Sequence, residues 1–199
     1  MIDPKPVTLE SPHVLVEPLL PTHEPELIEA ARDGELWNLW FTFVPTPDQA
    51  AEYIGSALAA QQAGHMLPWV VRDKRTNKVV GATRYHDIVP AADRVEIGHT
   101  WYAASAQRSH INTACKLILL THAFDTLGCQ VVGLRTDNFN FASQRAIEAI
   151  GAKKDGVIRH HALRKDGTAR DTVIYSILAQ EWFDVRRHLE LRLTRLQPK

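Results

Sequence analysis

The sequence predicts a mixed α/β domain organised around one central, mostly antiparallel twisted sheet flanked by helices. Three observations predict it: a meander of strand-like segments in the first half, the stretch RVEIGHTWYAASAQRSHINTACKLILLTHAFD from Arg94 to Asp125, and a turn-closed pair of strands near the end. In the middle stretch an apolar strand passes through a short polar loop straight into an amphipathic helix. That junction offers free backbone N–H groups and a positive dipole end, a place where a phosphate docks.

The elements follow in order. His13 to Leu19 (HVLVEPL) alternates apolar and polar like a strand, and Thr22 with the acidic Glu24 and Glu26 opens a helix to about Arg32, stopped by Asp33-Gly34. A second helix follows the Pro45-Thr46-Pro47-Asp48 punctuation, with Tyr53, Ala57, Leu58 and Gln61 on neighbouring turns, and ends at Gly64. Leu67 to Arg72 and Val79 to His86 read as antiparallel strands joined by the turn Asp73 to Asn77. Arg94 to Tyr102 is the next strand and the centre of the sheet. Ile111 to Leu127 repeats Leu117, Leu120, Phe124 and Leu127 on one helical face closed by Gly128. A strand from Gln130 to Thr136, a helix from Ala142 to Ile150 ended by Gly151, and a hairpin of Val157 to Arg164 with Thr172 to Ala179 around Asp166-Gly167 come next. A tail helix spans Glu181 to Leu196.

Composition narrows the function classes. With 199 residues, 45% apolar and 23% charged, the chain suits a single domain over residues 1–199 with a sizeable core. Lys plus Arg and Asp plus Glu both number 23, so overall charge gives no attraction to nucleic acid or membrane. No charged-then-apolar leader opens the sequence and no apolar run approaches the roughly 20 residues a span needs, so the expected location is the cytoplasm. Cys115 and Cys129 form neither a ligand cluster nor a disulfide framework and read as buried apolar residues. His160-His161 with His86 or His99 lack any His-x-x-x-His or carboxylate spacing, so no metal site is predicted.

EIGHTWY, the loop QRSHINT before a helix ending HAFDTLG, NFNFASQRAIEAIGAKKDGVIR and the tail RDTVIYSILAQEW together resemble the GNAT acyl-CoA N-acyltransferases over nearly the whole chain. The branch resembled is that of the ribosomal-protein N-terminal acetyltransferases. The resemblance implies a GNAT-like sheet, acetyl-CoA as cosubstrate and a primary amine as acceptor. It implies cofactor contacts along Trp101 and Tyr102, at Gln107, Arg108, Ser109, His110, Ile111, Asn112 and Thr113, and at Asn138, Asn140 and Ser143. The family loop usually reads Gln/Arg-x-x-Gly-x-Gly/Ala, whereas this chain has His110 and Asn112 at the two small positions. In similar enzymes a serine at the Ser143 position is proposed to protonate the departing thiolate. Many relatives carry a tyrosine four residues further on, where this chain has Ile147.

An amine attacking a thioester must lose a proton to a base, and the oxyanion must meet a donor. Strict alternation puts Glu96, Gly98, Thr100 and Tyr102 on one face of the central strand and Ile97, His99 and Trp101 on the other. Glu96 is the first candidate base, because a carboxylate on a central strand is costly to bury without a purpose or a partner. Its alternative is a buried salt bridge to Arg84 or Arg94. His99 is the second candidate base, or else a hydrogen-bonded core residue. Asp171 binds the substrate amine or pairs with Arg170 or Arg159. Trp37, Trp40 and Phe41, in the segment that borders the acceptor pocket of the resembling fold, together with Tyr85, shape substrate entry or are core. Three functions stay open: direct acetyl transfer in a ternary complex, a non-catalytic acyl-CoA-binding or sensing module, and an enzyme of another class such as a metal-dependent hydrolase. Exposed sheet edges add a homodimer to the expectations.

Overall fold

Short turns set the architecture. Asn77 and Asp93 take left-handed backbone conformations (φ 57° and 46°) at the two tight reversals of the first half, and short connections of this kind force antiparallel neighbours. The computed structural model describes residues 1–196. Strands β1 (Leu9–Glu10), β2 (Val14–Pro18), β3 (Met66–Asp73), β4 (Lys78–Val89), β5 (Arg94–Tyr102), β6 (Val131–Asp137), β7 (Lys153–Leu163) and β8 (Ala169–Leu178) form one sheet in the order β1-β2-β3-β4-β5-β6-β8-β7. Helices are α1 (Glu24–Arg32), α2 (Ala50–Gln62), α3 (Ile111–Thr121), α4 (Phe141–Glu148) and α5 (Trp182–Leu196), and α3 runs on through a π turn, His122–Thr126. Every predicted element is present, with ends within a few residues of the sequence reading.

All strand pairs are antiparallel except β5 with β6, which a helical crossover through α3 joins in parallel. Neighbouring β4 side chains show what covers each face. Arg84 lies over the Tyr53 ring of α2, 4.4 Å from its centroid, whereas the Tyr85 hydroxyl donates to the Leu119 carbonyl of α3 at 2.5 Å. Helices α1 and α2 therefore cover one face and α3 the other. Helix α5 joins α3 through the Phe124–Trp182 stack (5.3 Å) and a 2.7 Å bond from Trp182 Nε1 to Asp125. Cover on both faces explains why Val79 to His86 is buried without interruption instead of alternating.

Gly81 and Gly133 are among the positions with no room for a side chain. A Cβ on Gly81 would lie 2.1 Å from the Trp101 carbonyl oxygen, and one on Gly133 would lie 2.6 Å from Glu96 Cγ. The absent side chain at Gly133 lets Glu96 lie across β6.

Tyr85 is corrected from substrate entry to core. It is fully enclosed, stacks edge-on against Trp69 at 5.0 Å and spends its hydroxyl on α3. Tyr85→Phe should lower unfolding free energy by about 1 kcal/mol, the net worth of one buried hydrogen bond. Denaturant melts give that number, and steady-state kinetics should show an unchanged amine KM. A raised KM at unchanged stability would return Tyr85 to the site.

Candidate active site

The central strands part company. β5 pairs with β6 only over Arg94–Glu96 against Val131–Gly133. Beyond that point β5 stays with β4 as far as Tyr102 and β6 stays with β8 as far as Asp137. From Ile97 onward the β5 edge facing β6 is therefore unpaired, and its backbone N–H groups are available to a ligand.

A bulge on the other side of β5 re-aims its side chains. The β4–β5 register slips between Ala82 and Arg84, and His99 is the extra residue, with φ 50°. Strict alternation consequently fails beyond Gly98. Glu96 and Gly98 share the α1/α2 face with Arg84 and His86, and Trp101 joins them, its Nε1 donating to the Tyr53 hydroxyl at 3.2 Å. Thr100 and Tyr102 turn to the α3 face instead. Thr100 Oγ1 lies 2.8 Å from Thr83 Oγ1 and accepts from Lys116 Nζ at 3.0 Å, and Tyr102 packs beside Cys115. Both Trp101 and Tyr102 are buried, so only their backbone at the open edge is free to meet a ligand.

The loop after β5 is tied to α1. Ala104 N–H donates to the Asp33 carbonyl at 2.9 Å and Ser105 N–H to the Asp33 carboxylate at 3.1 Å. Within it, Gln107 Nε2 donates to the Tyr102 carbonyl, and Ser109 Oγ accepts from Ile111 N–H while donating to the Ala106 carbonyl. Backbone conformation does not require glycine at the two small positions. His110 (φ −69°) and Asn112, inside α3, adopt right-handed backbone that any residue accepts. The left-handed position is Arg108, φ 54°, where a side chain costs roughly 1–2 kcal/mol. Arg108 is exposed and has no carboxylate partner among the described residues. The first turn of α3 adds the N–H groups of Asn112 and Thr113. The side chains of Ile111 and Thr113 point inward, Thr113 Oγ1 receiving Arg192 Nε at 3.3 Å, so these two offer backbone only.

Beyond β6, the Asn138 backbone and the Asn140 side chain bond to the protein. The Asn138 carbonyl accepts from Gln144 Nε2 at 2.8 Å, and Asn140 Oδ1 caps α4 by accepting from Ser143 N–H at 3.0 Å. Ser143 is half-buried on the first turn of α4, with no partner for its hydroxyl among the described residues.

Glu96 sits where the ladder ends. It is 4% exposed, and Oε1 accepts from Arg94 Nη2 at 2.5 Å. Oε2 has no hydrogen-bond partner, its nearest cation being Arg135 Nε at 3.4 Å. The salt bridge to Arg94 is borne out, whereas Arg84 takes no part. Arg135, which sequence reasoning missed, also bonds Asp87 Oδ2 at 2.5 Å and His86 Nδ1 at 3.1 Å. His86, Asp87 and Glu96 offer atoms within 4.8 Å of one another, but the Arg135 guanidinium already bonds or pairs with all three, as a cation would. Burial first and then Arg135 lower the His86 pKa. His99 stacks edge-on against His86 at 5.1 Å. His99 is exposed at the bulge rather than a core residue; desolvation on its sheet side and then the positive charge of Arg84 lower its imidazole pKa, so it is neutral at pH 7. A cleft of about 420 Å³ lined by His65, Asp87, Ile88, Val89 and Arg94 reaches Glu96.

Asp171 neither faces this cleft nor pairs with Arg170 or Arg159. Its carboxylate accepts from His160 N–H at 2.7 Å and holds the left-handed kink of β7, while Arg170 faces Asp137 at 4.0 Å. Trp37 is half-buried, and its carbonyl accepts from Lys165 Nζ. Trp40 and Phe41 stack at 5.4 Å, and Trp40 meets Phe139 at 5.7 Å and the Arg164 guanidinium at 4.5 Å. Arg164 in turn grips both oxygens of the buried Asp137, at 2.7 and 3.2 Å. The segment after α1, the lead-in to α4 and the β7–β8 turn thus meet in one aromatic wall beside the end of β6.

With this geometry in place, the acetyltransferase (GNAT) domain family matches residues 13–153. The chain belongs to the GNAT acetyltransferases. It is thus an acyl-CoA-dependent N-acetyltransferase whose cosubstrate is acetyl-CoA. It is 27% identical over 133 residues to the N-acetyltransferase YoaA of Bacillus subtilis (strain 168), covering 66% of this chain and 73% of the relative. A GCN5-related N-acetyltransferase from Brucella melitensis superposes with a TM-score of 0.85 at 27% identity, over 96% of this chain and 86% of that one. Mycobacterium smegmatis RimJ, solved with CoA-disulfide, shares the fold at a TM-score of 0.79 and 19% identity, over 94% and 95% of the two chains. Among the described residues no helix is long and apolar enough to cross a membrane.

Lys116 pins the bulge at some expense of stability. It is enclosed, and burial pulls its pKa from 10.5 to about 8. Between those values the unfolded chain holds a proton the folded chain has lost, so stability rises with pH. Below about 8 both states are charged and the fold carries the full burial penalty, on the order of 3 kcal/mol. Lys116→Met should therefore melt above the wild type at pH 7, with the gap closing between pH 8 and 10.5. A gap independent of pH would contradict the buried ammonium.

Proposed function

We propose that this enzyme transfers the acetyl group of acetyl-CoA directly to a primary amine, on a protein N-terminus or a small molecule, within a ternary complex. The observation that carries the proposal is the gap between β5 and β6, with an anion-receptive loop at its open end and Glu96 at its apex. The amine nitrogen attacks the thioester carbon, the backbone N–H groups along the open β5 edge receive the oxyanion, and the C–S bond breaks to release the CoA thiolate. Glu96 is the first candidate for the amine proton through its unpartnered Oε2, and the neutral imidazole of His99 is the second. Ser143 Oγ is the candidate donor to the thiolate. Trp40 and Phe41 wall the acceptor side. The enclosed Cys115, its thiol pushed up by burial, and Cys129, pushed up to about 11, support direct transfer over a covalent acyl-enzyme.

Saturating acetyl-CoA at 100 times its Kd should add about 2.7 kcal/mol of stability in a thermal melt. Glu96→Gln should keep that stabilisation yet lose roughly 10²–10⁴ in kcat. An unchanged rate in Glu96→Gln with a loss in His99→Ala would move the base to His99. Unchanged rates in both variants would remove both candidates, and amine-dependent CoA release that never appears despite cofactor binding would favour a non-catalytic acyl-CoA-binding module.

A further inference from the structure

Arg84 is a buried cation without an anion. It is 5% exposed, its guanidinium lies over the Tyr53 ring, and its one hydrogen bond is a weak one from Nη1 to Met66 Sδ at 3.2 Å. No carboxylate lies within ion-pair distance of it among the described residues. The other guanidiniums on this face near the apex are matched, Arg94 by Glu96 and Arg135 by Glu96 and Asp87. Lys116, the enclosed cation on the opposite face, can shed its proton, but an arginine cannot. An uncompensated buried charge is expensive, and the planar fork of donors matches a carboxylate or phosphate.

Place decides what brings the anion. Arg84 pairs across the sheet with Gly98, directly before the His99 bulge, on the face that also carries Glu96. Glu96 is its diagonal neighbour, roughly 7–8 Å away between Cα atoms. The loop suited to the cofactor's phosphates begins beyond Tyr102, some five residues and about 16 Å further along the strand direction. An anion at Arg84 therefore belongs to the acceptor.

We propose that Arg84 binds an anionic group carried by the acceptor, a carboxylate or a phosphate monoester set beside the amine that is acetylated. This rests on the acetyl-transfer reading and names its substrate class. Arg84 grips the anion, the Tyr53 ring keeps the guanidinium in place, and the amine is left to face the thioester and Glu96.

Paired amines test it on the full-length enzyme with acetyl-CoA: phenylalanine against phenethylamine for the carboxylate, and O-phosphoethanolamine against ethanolamine for the phosphate. At least one anionic member should exceed its partner tenfold or more in kcat/KM, chiefly through KM, and the pair that responds identifies the anion. Arg84→Met should abolish the preference and Arg84→Lys should keep part of it, with the acetyl-CoA shift in melting temperature intact in both. Equal use of both members of each pair, or a preference that survives Arg84→Met, overturns the proposal. Titration of the CoA-bound protein with the same four compounds, read by tryptophan fluorescence because Trp101 bonds Tyr53, gives the same comparison without turnover. Tighter binding of an anionic member, lost in Arg84→Met, sustains the proposal even where no amine is acetylated, and indifference in wild type sinks it.

Discussion

The ladder between β5 and β6 stops after three residue pairs, and the rest of the site depends on that stop. Two strands joined in parallel at their starts and then claimed by different antiparallel partners must diverge. Divergence leaves a row of peptide groups on β5 without protein partners, and unpaired peptide groups inside a fold call for a ligand. Glu96 occupies the last paired position because Gly133 opposite it has no side chain to displace. The bulge at His99 then turns Thr100 and Tyr102 into the α3 layer, where Lys116 holds Thr100 in place.

Charge is distributed unevenly about this gap. On the α3 face, Lys116 is buried against hydroxyls and responds by a lowered pKa, which makes it a conditional charge. On the α1/α2 face, permanent guanidiniums surround Glu96, which compensates two of them and leaves Arg84 unmatched. A face built this way stabilises a carboxylate and an oxyanion better than it stabilises an ammonium ion, so an acceptor amine is favoured in its neutral, nucleophilic form.

The aromatic wall is an assembly of distant segments. Trp40, Phe139 and Arg164 come from three different connections, and the Asp137 carboxylate at the end of β6 fixes the arginine on which the two rings lie. The wall and the lead-in to α4 share this anchor, because Asp137 also accepts from Phe139 N–H at 2.9 Å.

Much of this was legible in the chain itself. Periodicity and turn residues located the five α-helices and every strand except the two-residue β1, and Glu96 stood out as a carboxylate on an apolar strand. The pairing of Glu96 with Arg94 also followed from local rules. The bulge was not legible, because a one-residue insertion in register depends on which residue of β4 meets which of β5, and strict alternation misplaced Thr100, Trp101 and Tyr102 as a result. Arg135 and Arg164 carried no local signal, since their partners Glu96, Asp87, Asp137 and Trp40 are 27 to 124 residues away in sequence. Tyr85 was misjudged for the same reason, its hydroxyl being claimed by Leu119, and Asp171 accepts from the His160 N–H instead of pairing with Arg170 or Arg159. The sequence by itself determined the main elements, the strand–loop–helix junction and the family, because these are encoded in spacing along the chain. Which buried charges are matched and which are left unmatched was decided only by the tertiary structure, because compensation is a matter of distance in space.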